Sequence, residues 1–213
     1  MIDVVSATEL KTRPDILTAM YQLRYRVFHE RLGWRVAVRN DLERDWFDDL
    51  NPLYLLAYDD RETLVGTWRM LPTTGPYMLR DVFPELLDGN EAPSDAAIWE
   101  GSRFAVDCRN HRKNGLGTPG RITGEIFAAV VEFGLALQLS EVVTVYDRRI
   151  ARLLPRIGCH PKWQSLRHRI DQTITLAGRF DIDIQALEAI RHANGINGTV
   201  VRSAPWIEKR HAA

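Results

Sequence analysis

The sequence predicts an α/β (α+β) fold, a three-layer sandwich with helices on both faces of one mixed, twisted sheet. Strand-length apolar runs at 97–106 and 142–146 flank a long amphipathic helix pattern at 121–139. Because parallel strands need a crossover connection, these two runs are predicted to be parallel neighbours. Other strand-like runs follow one another through short turns, which is typical of antiparallel pairs. Together these observations indicate a mixed sheet rather than a purely parallel or antiparallel one.

The first part of the chain is predicted to form a strand and then a helix, after which the hydrophobic periodicity ends. A strand at 2–6 is followed by a helix that has Pro14 in its first turn. Residues 33–51 show no periodicity and interleave aromatic residues with carboxylates. Because a loop of this length in a compact domain is usually functional or mobile, we predict a mobile lid over a substrate site. A solvated acidic loop with two aromatics in the core is the competing interpretation.

The remaining elements complete one domain. No repeat, low-complexity segment or linker interrupts the chain, so 1–213 is predicted to be a single domain. The further predicted elements are a hairpin of strands at 54–58 and 64–71, a short helical segment at 79–87, the strand at 97–106, the helix at 121–139, the strand at 142–146, a helix at 147–157, paired strands at 163–168 and 172–177, and a helix at 184–193.

The strand at 97–106 is unusual because it carries charges between apolar ends. Strict alternation would place Glu100, Ser102 and Phe104 on one face, and Gly101 and Arg103 on the other. Charged side chains inside such a strand are costly to bury unless they are paired with an opposite charge or take part in the function of the protein. Alone, the stretch favours an edge strand with both charged side chains in solvent.

Composition restricts the class of protein. Lys+Arg and Asp+Glu both number 28, so net charge gives no pull toward nucleic acid or membrane, and we expect neither as a partner. The two cysteines do not suggest a disulfide framework. No apolar run approaches the ~20 residues that span a bilayer. The N-terminal residues lack a signal-peptide pattern, so we expect a cytoplasmic protein.

Several separated residues together form a recognisable pattern. They are Arg24, Phe28 and Trp34 at the end of the first helix and in the lid, Asp45 and Asp48 in Glu-Arg-Asp-Trp-Phe-Asp, Arg69 in Trp-Arg-Met-Leu-Pro-Thr, Phe83 in Asp-Val-Phe-Pro, and Glu100 with Arg103 in Glu-Gly-Ser-Arg-Phe-Ala-Val-Asp. In order and spacing, the chain resembles the acyl-homoserine lactone synthases of the autoinducer-synthase (LuxI-type) family over roughly residues 20–180. Ala105 departs from the pattern, since many relatives have an aromatic residue there.

The resemblance implies a fold and a reaction. The fold is GNAT-like, with central strands that splay apart to grip a pantetheine arm. In the reaction, the amine of S-adenosylmethionine attacks the thioester of an acyl carrier protein. The carboxylate then closes a lactone and expels methylthioadenosine. S-adenosylmethionine is a substrate here, so no cofactor and no metal are expected.

The residue types suit that chemistry. Glu100 is the candidate base for the attacking amine. Asp45 and Asp48 would attract the sulfonium and ammonium charges, and arginines would bind the substrate carboxylate and hold the lid acids. Backbone amides near Phe104 and Ala105 would stabilise the oxyanion. The predicted catalytic residues are Glu100, Arg103, Asp45 and Asp48, and the predicted S-adenosylmethionine contacts are Arg24, Phe28, Trp34, Arg69 and Phe83. The competing interpretation is a structural ion-pair network.

An acyl chain needs an apolar tunnel, which the long helix and the strand at 142–146 can line. The predicted pocket residues are Ser102, Phe104, Ile126, Val142, Thr144 and Tyr146. In relatives, Thr in this strand often accompanies chains oxidised at the third carbon. Thr144 is equally well explained as an ordinary strand former.

Carrier proteins are acidic, so their docking surface should be basic. Such a surface is predicted from Arg148, Arg149, Arg152 and Arg156, three of which recur at four-residue spacing on one helix face. A solvated charged face is the alternative. Acyl-coenzyme A is the alternative donor.

Two other motifs weigh less. Residues 112–117 fit the R-x-x-G-x-G loop that binds coenzyme A pyrophosphate, but residues 118–120 separate them from the helix, so a flexible loop is favoured. A metal site would need a second pair of ligands at a suitable spacing in the sequence, and neither Cys108 with His111 nor Cys159 with His160 has one. Two alternatives to the synthase follow: a GNAT-type N-acetyltransferase that uses acetyl-coenzyme A, and a non-catalytic ligand sensor.

Overall fold

The structure, a computed structural model, describes residues 1–107 and 119–203. The loop predicted at 112–117 and the Cys108–His111 pair lie outside the described residues. The strands are β1 Ile2–Ser6, β2 Val38–Arg39, β3 Leu42–Glu43, β4 Leu53–Tyr58, β5 Leu64–Pro72, β6 Ile98–Val106, β7 Glu141–Asp147, β8 Trp163–Gln164, β9 His168–Ile170, β10 Thr173–Asp181 and β11 Val201–Ser203.

One mixed sheet of nine strands organises the described part of the chain, and it confirms the predicted fold class. Its order is β11-β1-β4-β5-β6-β7-β10-β8, with β9 also paired to β10, while β2 and β3 form a separate small hairpin. The pairs β1–β4, β4–β5 and β5–β6 are antiparallel, and β6–β7 is parallel, as the crossover helix requires. The central position of β6 excludes the edge-strand interpretation.

The helices begin and end where local chemistry dictates. Pro14 occupies a first-turn position, the Asp147 side chain accepts from backbone amides of α5, and Gly195 ends α6 in the left-handed region. The helices are α1 Ala7–Leu10, α2 Pro14–Arg24, α3 Met78–Asp81, α4 Pro119–Ala136, α5 Arg148–Leu153 and α6 Ile184–Asn194, with a π-helical turn at Tyr25–Arg31 and 3-10 turns at Trp46–Asp49, Pro84–Leu87 and Leu154–Ile157.

Two apolar layers cover the sheet. The main core lies between the sheet and α4 and α6, and includes Trp68, Ile126, Phe133 and Leu187. On the other face, α1 and α2 pack Leu10 and Met20 against β1 and β4. No helix in the described part of the chain is long and apolar enough to cross a membrane.

The two central strands pair over only part of their length. The parallel register runs from Ile98 opposite Glu141 to Gly101 opposite Thr144, although β6 continues to Val106. The described pairing therefore ends midway, and the strands splay as the fold class predicts. A gap opens in the sheet directly beyond Gly101 and Thr144.

A β-bulge in β6 changes which residues share a face. Arg69 is opposite Ser102 and Thr67 is opposite Ala105, so Arg103 and Phe104 together face a single residue of β5. Arg103 has a φ of 57°, in the left-handed region, which costs about 1–3 kcal/mol for a non-glycine residue. The alternation predicted from the sequence is therefore wrong beyond Ser102. The bulge keeps Arg103 on the face of Glu100 and Ser102 and turns Phe104 toward α4.

The segment 33–51 is irregular, as predicted, but it is anchored. It contains the β2–β3 hairpin and a 3-10 turn that the Asp45 side chain caps by accepting from the Phe47 amide at 3.0 Å. Phe47 and Asp48 are buried, which excludes a fully solvated acidic loop. Movement of this segment as a lid stays a prediction.

Candidate active site

Six charged side chains from five parts of the chain form a closed ring in which acids and arginines alternate. Around the ring, Arg24 Nε is 2.5 Å from Glu43 Oε2, Glu43 Oε1 is 2.9 Å from Arg103 Nε, and Arg103 Nη2 is 2.7 Å from Asp45 Oδ2. Asp45 Oδ1 is then 2.5 Å from Arg69 Nη1, Arg69 Nη1 is 2.9 Å from Asp48 Oδ1, and Asp48 Oδ1 is 2.8 Å from Arg24 Nη1. Three acids balance three arginines, so the ring has no net formal charge.

The ring is sealed on one side and open on the other. The side chains of Arg24, Glu43, Asp48 and Arg69 are at most 1% exposed, whereas those of Asp45 and Arg103 are 12% and 13% exposed. One acid and one arginine, bonded to each other, therefore form the accessible part of the ring.

The sealed part is stabilised by hydrogen bonds that offset the cost of burying charge. Asp48 accepts from two nitrogens of Arg24, from the Tyr54 hydroxyl at 2.8 Å and from the Asp45 amide at 2.9 Å. Burial opposes ionisation of Asp48, but the guanidinium groups of Arg24 and Arg69 outweigh it and hold the pKa of Asp48 well below its usual value. Asp48 is therefore an anion in the folded protein.

Glu100 lies on the same face of the sheet as the ring but makes different contacts. Its side chain is fully buried, Oε2 accepts from the Met78 amide at 2.9 Å, and Oε1 accepts from the Leu79 amide at 2.6 Å. Burial raises the pKa of Glu100 to about 7, against the lowering effect of these amides and of nearby arginines. A carboxyl with that pKa can accept and release a proton near neutral pH.

Aromatic rings pack against the arginines of this cluster. Phe28 and Trp34 stack with their centroids 5.3 Å apart, and the guanidinium of Arg103 lies 5.7 Å from the Phe28 centroid. Arg69 lies over Phe47 at 5.4 Å, and Phe83 packs in the small cluster that contains Phe47. The structure thus brings the residues predicted to bind S-adenosylmethionine to one region around Asp45 and Arg103.

The residues predicted to line an acyl pocket lie on the opposite face, with one exception. Phe104, Ile126, Val142 and Tyr146 belong to or pack against the core under α4, and Thr144 is buried in β7. Ser102 does not join them, because its Oγ accepts from Arg69 Nε at 3.1 Å on the ring face. Its assignment to the pocket is wrong, and Ser102 instead supports Arg69.

The predicted basic surface is exposed. Arg148, Arg149, Arg152 and Arg156 lie on α5 and the turn after it, and none has a salt-bridge partner within residues 1–107 and 119–203. Since α5 begins where β7 ends, these arginines lie beyond the end of β7 that has separated from β6. Among the described residues, no group of three or more His, Cys, Asp or Glu side chains is arranged so that it could hold a metal ion.

Sequence reasoning missed two parts of the site. Glu43 is 0% exposed and joins Arg24 to Arg103, and its nearness to Asp45 and Asp48 in the chain was the available signal. The Met78 and Leu79 amides that hold Glu100 are backbone groups, which side-chain patterns do not show.

Comparison with known proteins identifies this arrangement. The Autoinducer synthase family profile matches residues 7–190. An acyl-homoserine-lactone synthase of Aliivibrio fischeri is 40% identical over 170 residues, which cover 79% of this chain and 87% of that protein. The crystal structure of the AHL synthase LasI is 33% identical with a TM-score of 0.78, over 90% of this chain and 94% of that chain.

A second solved structure is similar over the whole chain. It is the CoA-dependent acyl-homoserine lactone synthase BjaI with SAM and isopentyl-CoA, which is 28% identical with a TM-score of 0.81, over 100% of this chain and 99% of that chain. The splayed mixed sheet, together with the similarity to these two synthases, defines an acyltransferase. More particularly, the chain belongs to the autoinducer synthase family. Its activity is acyl-homoserine-lactone synthesis, which serves quorum sensing.

Proposed function

We propose that the protein transfers an acyl group from an acyl carrier protein to the amine of S-adenosylmethionine and then closes the lactone. Glu100, a buried carboxyl with a pKa of about 7 on the face of the charged ring, is the observation that carries the proposal. The solved complex of BjaI with SAM and isopentyl-CoA supports S-adenosylmethionine as the acceptor.

The open edge of the ring fits the amino-acid end of S-adenosylmethionine. Its amino group and carboxylate are attached to the same carbon, so they present opposite charges side by side. Asp45 and Arg103 present the complementary pair at 2.7 Å, and they are the accessible members of the ring. The substrate carboxylate would bind Arg103 and the amino group would lie near Asp45. Arg24, Arg69 and Asp48 would then position this pair rather than touch substrate.

Acyl transfer requires a neutral amine. Glu100 accepts a proton from the ammonium group, directly or through a water, and its two amide contacts keep the carboxylate oriented. The amine nitrogen attacks the thioester carbonyl, a C–N bond forms, and the C–S bond breaks with release of the carrier thiol. Backbone amides of β6 near Phe104 and Ala105, beyond the last pair with β7, would stabilise the oxyanion.

Lactonisation follows on the same substrate. A carboxylate oxygen attacks the carbon next to the sulfonium, a C–O bond forms, and the C–S bond breaks to release methylthioadenosine. This step needs no added proton donor, because the sulfonium leaves as a neutral thioether. The aromatic rings of Phe28 and Trp34 offer a cation–π or stacking surface for the sulfonium and adenosine end.

The donor is assigned to an acyl carrier protein because of the exposed arginines on α5. Arg148, Arg149 and Arg152 would attract an acidic partner at the open end of the gap between β6 and β7. Acyl-coenzyme A is the second candidate donor, favoured by the similarity to the CoA-dependent BjaI.

Product analysis tests the proposal. The purified protein is incubated with S-adenosylmethionine and a panel of acyl-carrier-protein and acyl-coenzyme A thioesters, and mass spectrometry measures methylthioadenosine and acyl-homoserine lactone. Both products should form in equal amounts and be lost with Glu100→Gln. Glu141→Gln is the matched control, since Glu141 is a buried glutamate that pairs with Lys162 and Arg179 away from the ring. Acetyl-coenzyme A consumption with an unrelated amine, while S-adenosylmethionine stays intact, would contradict the proposal.

A further inference from the structure

The thioether of Met78 accepts hydrogen bonds from two arginines of the charged ring. Arg69 Nη2 and Arg103 Nη1 each lie 3.3 Å from Met78 Sδ. A thioether sulfur is a weak acceptor, whereas a guanidinium is a charged donor that pairs best with a carboxylate. Met78 is also buried, so little water reaches its sulfur. Two strong donors therefore converge on a poor acceptor beside the ring.

Of these two arginines, Arg103 depends more on the sulfur. Its Nε donates to Glu43 at 2.9 Å, and its Nη2 lies 2.7 Å from Asp45. Among the described residues, the acceptor for its Nη1 is the Met78 thioether alone. Arg69 differs, because each of its three nitrogens also donates to a side-chain oxygen. Nη1 is therefore the nitrogen of the accessible arginine that no carboxylate of the described chain holds.

The side chain of Met78 can move while its backbone stays in place. The backbone N–H donates to Glu100 Oε2 at 2.9 Å, which anchors this end of α3. The side chain itself has three rotatable bonds and adapts readily to its surroundings. It packs in a small apolar cluster with Phe47 and Leu71, against which Phe83 lies. The sulfur can therefore leave the arginines and remain among apolar side chains.

We propose that the substrate carboxylate displaces the Met78 thioether from Arg103 Nη1, so that residue 78 sets the affinity for the amino-acid end of S-adenosylmethionine. The inference rests on the proposed function, in which Arg103 binds this carboxylate. The thioether satisfies the donor in the free protein, and the carboxylate replaces it with a stronger, charge-assisted hydrogen bond. Breaking the bond to sulfur is a cost of binding, and another side chain at position 78 would change that cost.

Two substitutions change this cost in opposite directions. Met78→Leu keeps the apolar character and nearly the volume of the side chain but removes the acceptor. Met78→Gln supplies an amide oxygen on a side chain of similar length, and this better acceptor is harder to displace. The dissociation constant for S-adenosylmethionine should fall by roughly two- to tenfold in Met78→Leu, the effect of about one hydrogen bond. In Met78→Gln it should rise by a similar factor.

Isothermal titration calorimetry of the full-length protein measures these constants without any acyl donor. S-adenosylhomocysteine keeps the amino-acid end of the substrate, so its dissociation constant should change in the same order. Methylthioadenosine lacks the carboxylate and the amino group, so its dissociation constant should be the same in the wild type and in both Met78 variants. Met70→Leu is the matched control, because Met70 is fully buried in the core under α4, and it should leave the constants for all ligands unchanged.

The outcomes separate this inference from the proposed function. Unchanged or weaker binding of S-adenosylmethionine by Met78→Leu overturns the inference alone. Equal shifts for S-adenosylmethionine and methylthioadenosine also overturn it, because they show a general change in the site rather than an effect on the carboxylate. A wild type that does not bind S-adenosylmethionine contradicts the proposed function as well. If Met78→Gln does not fold, the direction of the change in Met78→Leu decides: tighter binding supports the inference.

Discussion

The charged ring makes a quantitative prediction about two aspartates that the sequence does not distinguish. Asp48 is sealed, while Asp45 is 12% exposed at the accessible edge. Replacing Asp48 with Asn removes one of the three negative charges of the ring and leaves Arg24 and Arg69 with an uncompensated excess of positive charge. Removing one partner of a buried ion pair costs about 3–5 kcal/mol, so Asp48→Asn should lose that much stability.

Asp45→Asn should behave differently. Water can reach both Asp45 and Arg103, so the loss of the charge is screened and the cost should be about 1–2 kcal/mol. In a domain of this size each kcal/mol corresponds to about 2–4 °C in Tm, which separates the two variants by several degrees. Conversely, Asp45→Asn should raise the KM for S-adenosylmethionine while Asp48→Asn acts mainly through stability.

Urea unfolding followed by tryptophan fluorescence measures the loss of stability in each variant. Initial rates at varied concentrations of S-adenosylmethionine measure the KM. Acidification adds a check. The lowered pKa of Asp48 contributes stability that is present above the unfolded value of 3.8 and is lost as the pH falls below it, so the wild type should approach Asp48→Asn only in acid. Equal destabilisation by the two variants, or a raised KM confined to Asp48→Asn, would refute the division of the ring into sealed and accessible parts.

Further predictions concern single contacts of the site and of the basic surface. Tyr54→Phe removes a hydrogen bond to the charged Asp48 and should cost about 1.5–3 kcal/mol in urea unfolding with no change in KM; a cost near zero would show that the hydroxyl is not needed. Burial raises the pKa of Glu100 from 4.5 to about 7, so between these pH values the folded protein holds a proton that the unfolded chain has released. The free energy of unfolding of the wild type should therefore fall by on the order of 3 kcal/mol as the pH rises through this range, whereas that of Glu100→Gln should not. Parallel curves of unfolding free energy against pH for the two proteins would contradict the effect of burial. Arg152→Glu should raise the KM for acyl-carrier protein several-fold but not for acyl-coenzyme A, whereas the exposed control Arg61→Glu should change neither; equal effects on both donors would exclude carrier docking at α5.

Most of the fold follows from local patterns in the sequence. The helix between two apolar runs correctly predicts that β6 and β7 are parallel neighbours, because no shorter connection allows that pairing. The bulge at Arg103 was not predictable from alternation, since its left-handed backbone is held by ion pairs to Glu43 and Asp45 that form only in the folded chain.

The sequence predicted which residues belong to the candidate site better than it predicted how these residues contact one another. The resemblance selected Arg24, Arg69 and Arg103. It did not show that the guanidinium groups of Arg24 and Arg69 are already paired with buried carboxylates of the protein itself. Ser102 was misplaced because a strand with a bulge no longer alternates, and its contact with Arg69 depends on β5 lying beside β6. Such errors arise where tertiary contacts, rather than local sequence, decide where a side chain points.

The pH dependence of single-turnover acyl transfer tests the central claim, that Glu100 removes the proton from the attacking amine. The rate of N-acylation is measured by rapid quench with saturating S-adenosylmethionine and acyl thioester, from about two pH units below 7 to two above. The wild-type rate should rise with an apparent pKa near 7 and then level off, and Glu100→Gln should be slow with that rise abolished. A flat wild-type profile, or the same rise in Glu100→Gln, would show that another group accepts the proton.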